Sequence, residues 1–184
     1  ETLLRSTVLA QLGKYQDDDT LTEAGSRFGD YLKDPEAVNP DLRGVILNLT
    51  AQRGDRDTYD ALWDLHKTGT LEEEKVRLLV ALGNFDQPEL LGETLERSLS
   101  DEVRIHDTIL VVRGVGSNRK GRDQAWEFVK ENWDTFVSRY ADGLFALSNL
   151  VPVASRFNTE EKLADVEEFF AAHPTPAADR AIKQ

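Results

Sequence analysis

Gly121-Arg122-Asp123-Gln124-Ala125-Trp126-Glu127-Phe128-Val129-Lys130-Glu131-Asn132-Trp133-Asp134 carries two of the three tryptophans of the chain. Its two tryptophans stand seven residues apart, two turns of an α-helix, and therefore share one face. Trp126, Val129, Trp133, Val137 and Tyr140 form a bulky apolar stripe, with Glu127, Lys130, Glu131 and Asp134 beside it. The spacing predicts one amphipathic helix whose tryptophans pack one helical hairpin against the next.

Outward from this stretch, apolar residues recur at three- and four-residue steps and strict alternation is nearly absent. Leu3, Leu4, Val8, Leu9 and Leu12 predict a first helix, and Leu21, Ala24, Phe28, Tyr31 and Leu32 a second. Asn39-Pro40 reads as an N-cap followed by proline at the first helical position, ahead of Leu42, Val45, Ile46 and Leu49. Tyr59, Leu62, Trp63 and Leu65 mark a helix ending near Gly69. Thr70 and Glu73 have capping-box spacing before Val76, Leu79, Val80 and Leu82, and Gly83-Asn84 closes that helix. Asp86-Gln87-Pro88-Glu89 opens another, carrying Leu90, Leu91, Leu95 and Leu99.

The segment from His106 to Val115 is apolar nearly all round and predicts a buried helix. Its run Ile109-Leu110-Val111-Val112 has no evident partner strand, and a lone strand is unstable. After a turn at Gly116-Ser117-Asn118 comes the tryptophan helix, then helices over Leu144 to Val151 and over Glu160 to Ala172. Asn158 with Glu161 caps the latter, and a last segment follows Pro176. Connections of about two to eight residues favour antiparallel neighbours, and helix pairs recur at roughly 30 to 35 residues. The expected fold is all-α: a HEAT-like α-α superhelix, or solenoid, of about eleven antiparallel helices.

Composition narrows the function. The chain has 184 residues, enough for one large domain or one repeat array. A net charge of −12 repels phosphate backbones and argues against nucleic acid as a partner. Asp17-Asp18-Asp19 and Glu72-Glu73-Glu74 are the acidic clusters, both read as solvated helix ends. No apolar run approaches the roughly 18 residues a membrane span needs, and the N-terminus carries no signal-peptide pattern. With no Cys, disulfides, thiol catalysis and Cys-based metal sites are excluded. That composition suits a reducing, cytoplasmic interior. There is no Met either, and the chain opens on Glu1, so the expectation is an excised piece of a larger protein.

A search for chemistry finds no catalytic, cofactor-binding or metal-ligating set. His66, His106 and His173 lie forty and sixty-seven residues apart, and none begins a His-Glu-x-x-His helix. His106-Asp107 could be an acid–base pair, but adjacent helical residues point about 100° apart, so an inter-helix hydrogen bond is the simpler expectation. No Gly-x-Ser-x-Gly elbow exists, and Gly114-Val115-Gly116-Ser117-Asn118 lacks a phosphate-loop lysine. Arg113, Arg119, Lys120 and Arg122 make this the most basic short region of an acidic chain. They could hold a carboxylate such as a peptide C-terminus, or they form a solvated cluster at a helix end.

The ordered motifs resemble one family. The tryptophan stretch is similar to one in the C-terminal helical domain of aminopeptidase N-type zinc metallopeptidases, a group that includes the puromycin-sensitive and endoplasmic reticulum aminopeptidases. Asn39-Pro40-Asp41-Leu42-Arg43, Tyr59-Asp60-Ala61-Leu62-Trp63, Glu72-Glu73-Glu74-Lys75 through Ala81-Leu82-Gly83, Leu95-Glu96-Arg97-Ser98-Leu99, Phe169-Phe170 with His173, and Arg180 to Gln184 fit the same family in order. The resemblance implies that residues 1–184 are a single C-terminal helical-repeat domain, a fragment of a multidomain chain. It implies an upstream thermolysin-like catalytic domain with its own zinc, and a helical domain that covers the active site and shapes a peptide chamber. Neither the zinc-binding helix nor the family's Gly-x-Met-Glu-Asn loop occurs here, so no zinc ligand or catalytic residue carries over. The partners implied are that upstream catalytic domain and a peptide substrate, whose cationic amino terminus an acidic lining would favour. The alternative is a free-standing α-solenoid scaffold that binds a protein partner.

Overall fold

Short polar side chains at the turns set where several of these helices begin. The computed structural model describes residues 2–140 and 147–174. They fall into two compact units, Glu1–Leu91 and Gly92–Gln184. The described residues are helical, without a strand among them.

The first unit contains α1 (Thr2–Lys14), α2 (Asp18–Lys33), a 3-10 turn at Pro35–Ala37, α3 (Pro40–Arg53), α4 (Arg56–Thr68) and α5 (Glu72–Leu82). Asp17 accepts a hydrogen bond from the Thr20 backbone N–H, Asn39 from that of Asp41 and Asp55 from that of Thr58. Each satisfies an orphan donor at a helix start. Asn39-Pro40 thus caps α3 as its sequence predicts, and Gly69 and Gly83 stand at the ends of α4 and α5. The predicted Thr70–Glu73 capping box is not made. Leu71 occupies the cap position without a side-chain bond, and Glu73 is drawn onto Arg77.

Leu21, Ala24, Val45 and Leu49 form a core cluster between α2 and α3, with Leu9 and Leu42 packed against it. Tyr59 meets Trp63 and Phe85 edge-on at 6.3 and 5.3 Å, which adds oriented aromatic contact to simple burial. Gly54 lets this cluster close, because a Cβ there would lie 2.7 Å from the Phe85 ring and 2.9 Å from Thr58. The apolar stripe of α1 faces mostly outward: Leu4, Val8 and Leu12 are exposed, whereas Leu9 turns inward.

Helix α6 (Pro88–Ser98) carries the chain into the second unit, which holds α7 (Ile105–Ser117), α8 (Arg122–Glu131), α9 (Trp133–Arg139), a 3-10 turn at Val151–Arg156 and α10 (Glu160–Ala172). The run Ile109-Leu110-Val111-Val112 is helical, within α7. Here the structure corrects three expectations. The tryptophan stretch is two helices rather than one. At Asn132 the backbone leaves helical geometry (φ −108°, ψ 15°), and the side-chain amide donates to the Phe128 carbonyl at 2.9 Å, competing with the helix's own ladder. Thr159, not Asn158, caps α10, accepting from the Lys162 N–H. Residues 147–149 and Val151–Arg156 form 3-10 turns where an α-helix over Leu144 to Val151 is predicted. Pro152 has no N–H to extend an α-helical ladder through this point. Residues 144–146 and the segment after Pro176 lie outside the described residues.

Candidate functional site

Buried polar groups are the places where chemistry or recognition can be built, since burial of an unpaired charge is costly. In the first unit Arg43 projects from α3 and is only 6% exposed. Its guanidinium donates to Glu36 Oε1 at 2.8 Å, to Glu74 Oε1 at 3.1 Å and to the Val38 carbonyl at 3.2 Å. Glu74 also accepts from Arg77 at 2.6 Å and from the Tyr31 hydroxyl at 3.3 Å. Burial, and then the Glu74 carboxylate, push the Tyr31 hydroxyl up from its ordinary value. The bonds to Glu36 and Glu74 hold Arg43 charged against the cost of burial. Three donors occupy Glu74, so the network is a clasp joining α2, α3 and α5, and it offers no free base.

The second unit has a corresponding cluster on the tryptophan stretch. The buried Trp126 indole N–H donates to Asp165 Oδ2 at 2.6 Å, and Lys130 Nζ reaches Oδ1 and Oδ2 at 2.9 and 3.1 Å. The Lys130 bonds hold the Asp165 carboxyl below its usual range, against burial and with help from the indole. Lys130 itself is pulled down by burial, but its bonds to Asp165 and Glu127 outweigh this and raise it. The indole rings of Trp126 and Trp133 both meet Phe169 and Phe170 of α10, at centroid distances of 5.3 to 5.9 Å. Asp165 is the functional-looking residue that sequence reading misses. Its signal, an acid on α10 opposite an indole, requires knowing that α8 and α10 touch.

The basic residues singled out from sequence are placed differently from one another. Arg113 on α7 is exposed, as are Arg119 and Lys120 in the turn, where the Lys120 N–H donates to the Asn118 side chain. Arg122 begins α8, half-buried, and donates to the Arg156 carbonyl at 2.9 Å. Its guanidinium is thereby anchored to the 3-10 turn. The expected inter-helix role of His106 is not realised. His106 is exposed, with its Nε2 3.7 Å from the carboxylate of buried Asp107 despite the roughly 100° between adjacent helical residues, and Asp107 also takes a 2.6 Å hydrogen bond from Arg104.

A zinc ion does not fit these residues. His66 is buried edge-on against Trp63, with Nδ1 3.3 Å from the Lys75 carbonyl. His173 stacks on Phe169, with Nδ1 2.8 Å from the Phe169 carbonyl. Among the described residues no three His, Cys, Asp or Glu side chains converge to hold a metal. Nor, among them, is any helix long and apolar enough to cross a membrane.

The first unit also contains cavities. One, of 480 Å³, has a largely apolar wall of Leu9, Ala24, Val38, Leu42, Ile46 and Leu49. Another, of 380 Å³, is bounded by α1, α3 and the residue after Gly83.

Comparison with known proteins agrees with the order of motifs along the chain. The model of the family described as ERAP1-like C-terminal domain matches residues 1–184. Aminopeptidase M1-B of Oryza sativa subsp. japonica is 34% identical over 189 residues, covering 100% of this chain and 21% of that protein. Aminopeptidase 2 of Candida albicans is 30% identical across 98% of this chain and 20% of its own length. Glutamyl aminopeptidase of Mus musculus is 30% identical across 96% of the chain and 19% of its length. The chain thus spans about a fifth of the length of the curated relatives it matches.

Proposed function

The chain belongs to the ERAP1-like C-terminal domain family, and from that premise we propose that residues 1–184 act as one helical-repeat domain of a zinc aminopeptidase. In this reading the domain performs no chemistry of its own. It covers the active site of an upstream catalytic domain and regulates the access of peptides from which N-terminal residues are removed. The zinc and its ligands belong to that upstream domain.

The observation that carries the reading is the match over the whole chain to about a fifth of proteins named aminopeptidases. The remaining length of those relatives is where a metal centre would reside. The internal wiring supports the same division of labour. Arg43 and Glu74 in the first unit, and Lys130 and Asp165 in the second, are each committed to joining helices within their own unit, which leaves none of them free for chemistry. Exposed Arg113, Arg119 and Lys120 remain candidates for a peptide carboxylate, whereas Arg122 is already engaged by Arg156.

Length dependence provides the test. The parent aminopeptidase, with and without this chain, is assayed on one aminoacyl amide and on peptides of increasing length. Loss of the chain is expected to change kcat/KM for long peptides far more than for the amide. Equal ratios at every length, or zinc-dependent turnover by the 184-residue chain alone, would refute the role.

A further inference from the structure

We infer that the smaller cavity of the first unit is a binding site for the main chain of an extended peptide, read through side-chain amide groups and not through charge. The inference rests on the reading that this chain meets peptides, and it supplies what that reading lacks: a place and a mode of contact.

The lining decides the chemistry. Ser6 and Thr7 come from α1, Asn48 and Gln52 from α3, and Asn84 from the residue after Gly83. Among the described residues the rest of the lining is Ala10, Val45 and Leu49, so no ionisable side chain of theirs faces this space. In a chain with 30% charged residues, an uncharged polar cavity offers no ion-pair partner to a free carboxylate or ammonium. Nor does this lining suit nucleic acid, whose affinity for proteins comes chiefly from cations set against its phosphates.

What remains is a ligand with alternating neutral donors and acceptors. A backbone amide is that ligand, because every non-proline residue carries one N–H and one C=O that must be satisfied when buried. Side-chain amides are matched to it, each offering an acceptor oxygen and two donor hydrogens. Asn48 and Gln52 are four residues apart on α3 and therefore neighbours on one face. Asn84 extends the row: its amide nitrogen donates to the Val80 carbonyl at 2.8 Å and lies 3.4 Å from Asn48 Oδ1. The Val80 bond fixes the orientation of the Asn84 amide.

A second observation points to a missing ligand. Gln52 Oε1 is buried and has no hydrogen-bond partner. A buried carbonyl left unpaired is disfavoured, and an incoming backbone N–H is the donor it lacks. The volume of 380 Å³ falls inside the range of about 300–1,000 Å³ typical of ligand sites. Ala10, Val45 and Leu49 add neutral walls that small side chains can cover without selecting among them. The site would therefore hold peptides with little regard to sequence.

The test uses the chain itself and a heptapeptide of Gly, Ala and Ser, acetylated at its N-terminus and amidated at its C-terminus. NMR titration is expected to shift the side-chain amide resonances of Asn48, Gln52 and Asn84. A twin peptide N-methylated at alternate residues, which loses backbone donors, should bind at least tenfold more weakly. Gln52→Met removes the unpaired carbonyl while keeping the side chain's length. It should melt no lower than wild type yet bind roughly fivefold more weakly, the loss of one neutral hydrogen bond. Asn48→Leu supplies an independent second variant with the same expected loss.

Equal binding of the N-methylated twin would overturn main-chain recognition. Binding that requires a free C-terminal carboxylate, or that persists unchanged in both variants, would overturn the site. Either failure would leave the proposed aminopeptidase role standing, since that role is read from length dependence in the parent enzyme. Conversely, capped-peptide binding with the expected variant losses would support the site even if the length dependence failed.

Discussion

Replacing Asp165 by alanine is expected to destabilise the second unit by about 2–3 kcal/mol, and the value can be assembled from the contacts it breaks. The Trp126 side chain is fully buried, and its N–H donates to Asp165 Oδ2 at 2.6 Å. Without that acceptor a buried donor is orphaned, which costs about 1–3 kcal/mol. The ion pair with Lys130 adds less, because 35% of the Asp165 side chain and 22% of the Lys130 side chain remain accessible to solvent. Screening holds that part to about 0.5–1 kcal/mol, and Lys130 keeps Glu127 as a partner at 3.0 Å. Asp165→Asn retains an acceptor for the indole and should cost no more than about 1 kcal/mol. Urea unfolding followed by circular dichroism measures these changes, with a midpoint shift near 1 M expected for Asp165→Ala. A double-mutant cycle isolates the hydrogen bond. In a Trp126→Phe background, which has no N–H to strand, Asp165→Ala should cost only about 0.5–1 kcal/mol, a coupling of about 1–2 kcal/mol. Additive losses, or a coupling near zero, would refute the assignment of this contact as what ties α8 to α10.

Two further outcomes follow from the caps and the charged pairs. Helix α1 ends in a motif in which the Gln16 N–H bonds the Gly13 carbonyl and the Asp17 N–H bonds the Leu12 carbonyl, with Gln16 at φ 59°. A left-handed position is strained for glutamine, so Gln16→Gly should stabilise the chain by about 0.5–1 kcal/mol in the same unfolding assay, and a loss of stability would contradict the strain. On the acid side, Asp165 has a folded pKa below its unfolded value, so its contribution is fully present above the unfolded carboxylate pKa of about 3.9 and is lost as pH falls through the folded value. Asp17 and Asp55, held down by bonds from Thr20 and Thr58, act in the same direction. The urea midpoint should therefore be flat from pH 7 to about 5 and fall below about 4, more steeply in wild type than in Asp165→Asn; equal slopes would show that Asp165 is not a contributor.

Features that depend on near neighbours are legible in the sequence itself. Asn39-Pro40 caps α3 because its donor and acceptor are two residues apart. The closing glycines of α4 and α5, and the helical nature of Ile109 to Val112, also follow from local pattern. Failures occur where another group competes. Glu73 leaves its predicted cap for Arg77 one helical turn on, and Asp165 gains importance only through an indole thirty-nine residues away. The Arg43 clasp draws on Glu36 and Glu74 across thirty-one residues, and nothing near Arg43 in the sequence announces it. Leu4, Val8 and Leu12 carry a core-like pattern on an exposed face, since periodicity reports an apolar stripe and not what covers it. The basic cluster is legible as composition, but the bond from Arg122 to the Arg156 carbonyl is not.

The break at Asn132 shows how such a distant requirement reshapes a strong local signal. The seven-residue spacing of Trp126 and Trp133 places both on one face, and both do pack on Phe169 and Phe170. Beyond Trp133 the predicted stripe holds at Tyr140, which is buried, but fully buried Phe136 takes the place expected of Val137. In an unbroken helix Phe128 and Phe136 would be separated by about 12 Å along the axis, eight residues at about 1.5 Å each. Their rings instead meet edge-on at 6.2 Å. The turn at Asn132 closes that gap, and the amide bond to the Phe128 carbonyl holds the chain where the turn occurs. A straight helix would satisfy the two tryptophans but leave the two phenylalanines apart. The kink is the geometry that lets one short stretch pack all four rings.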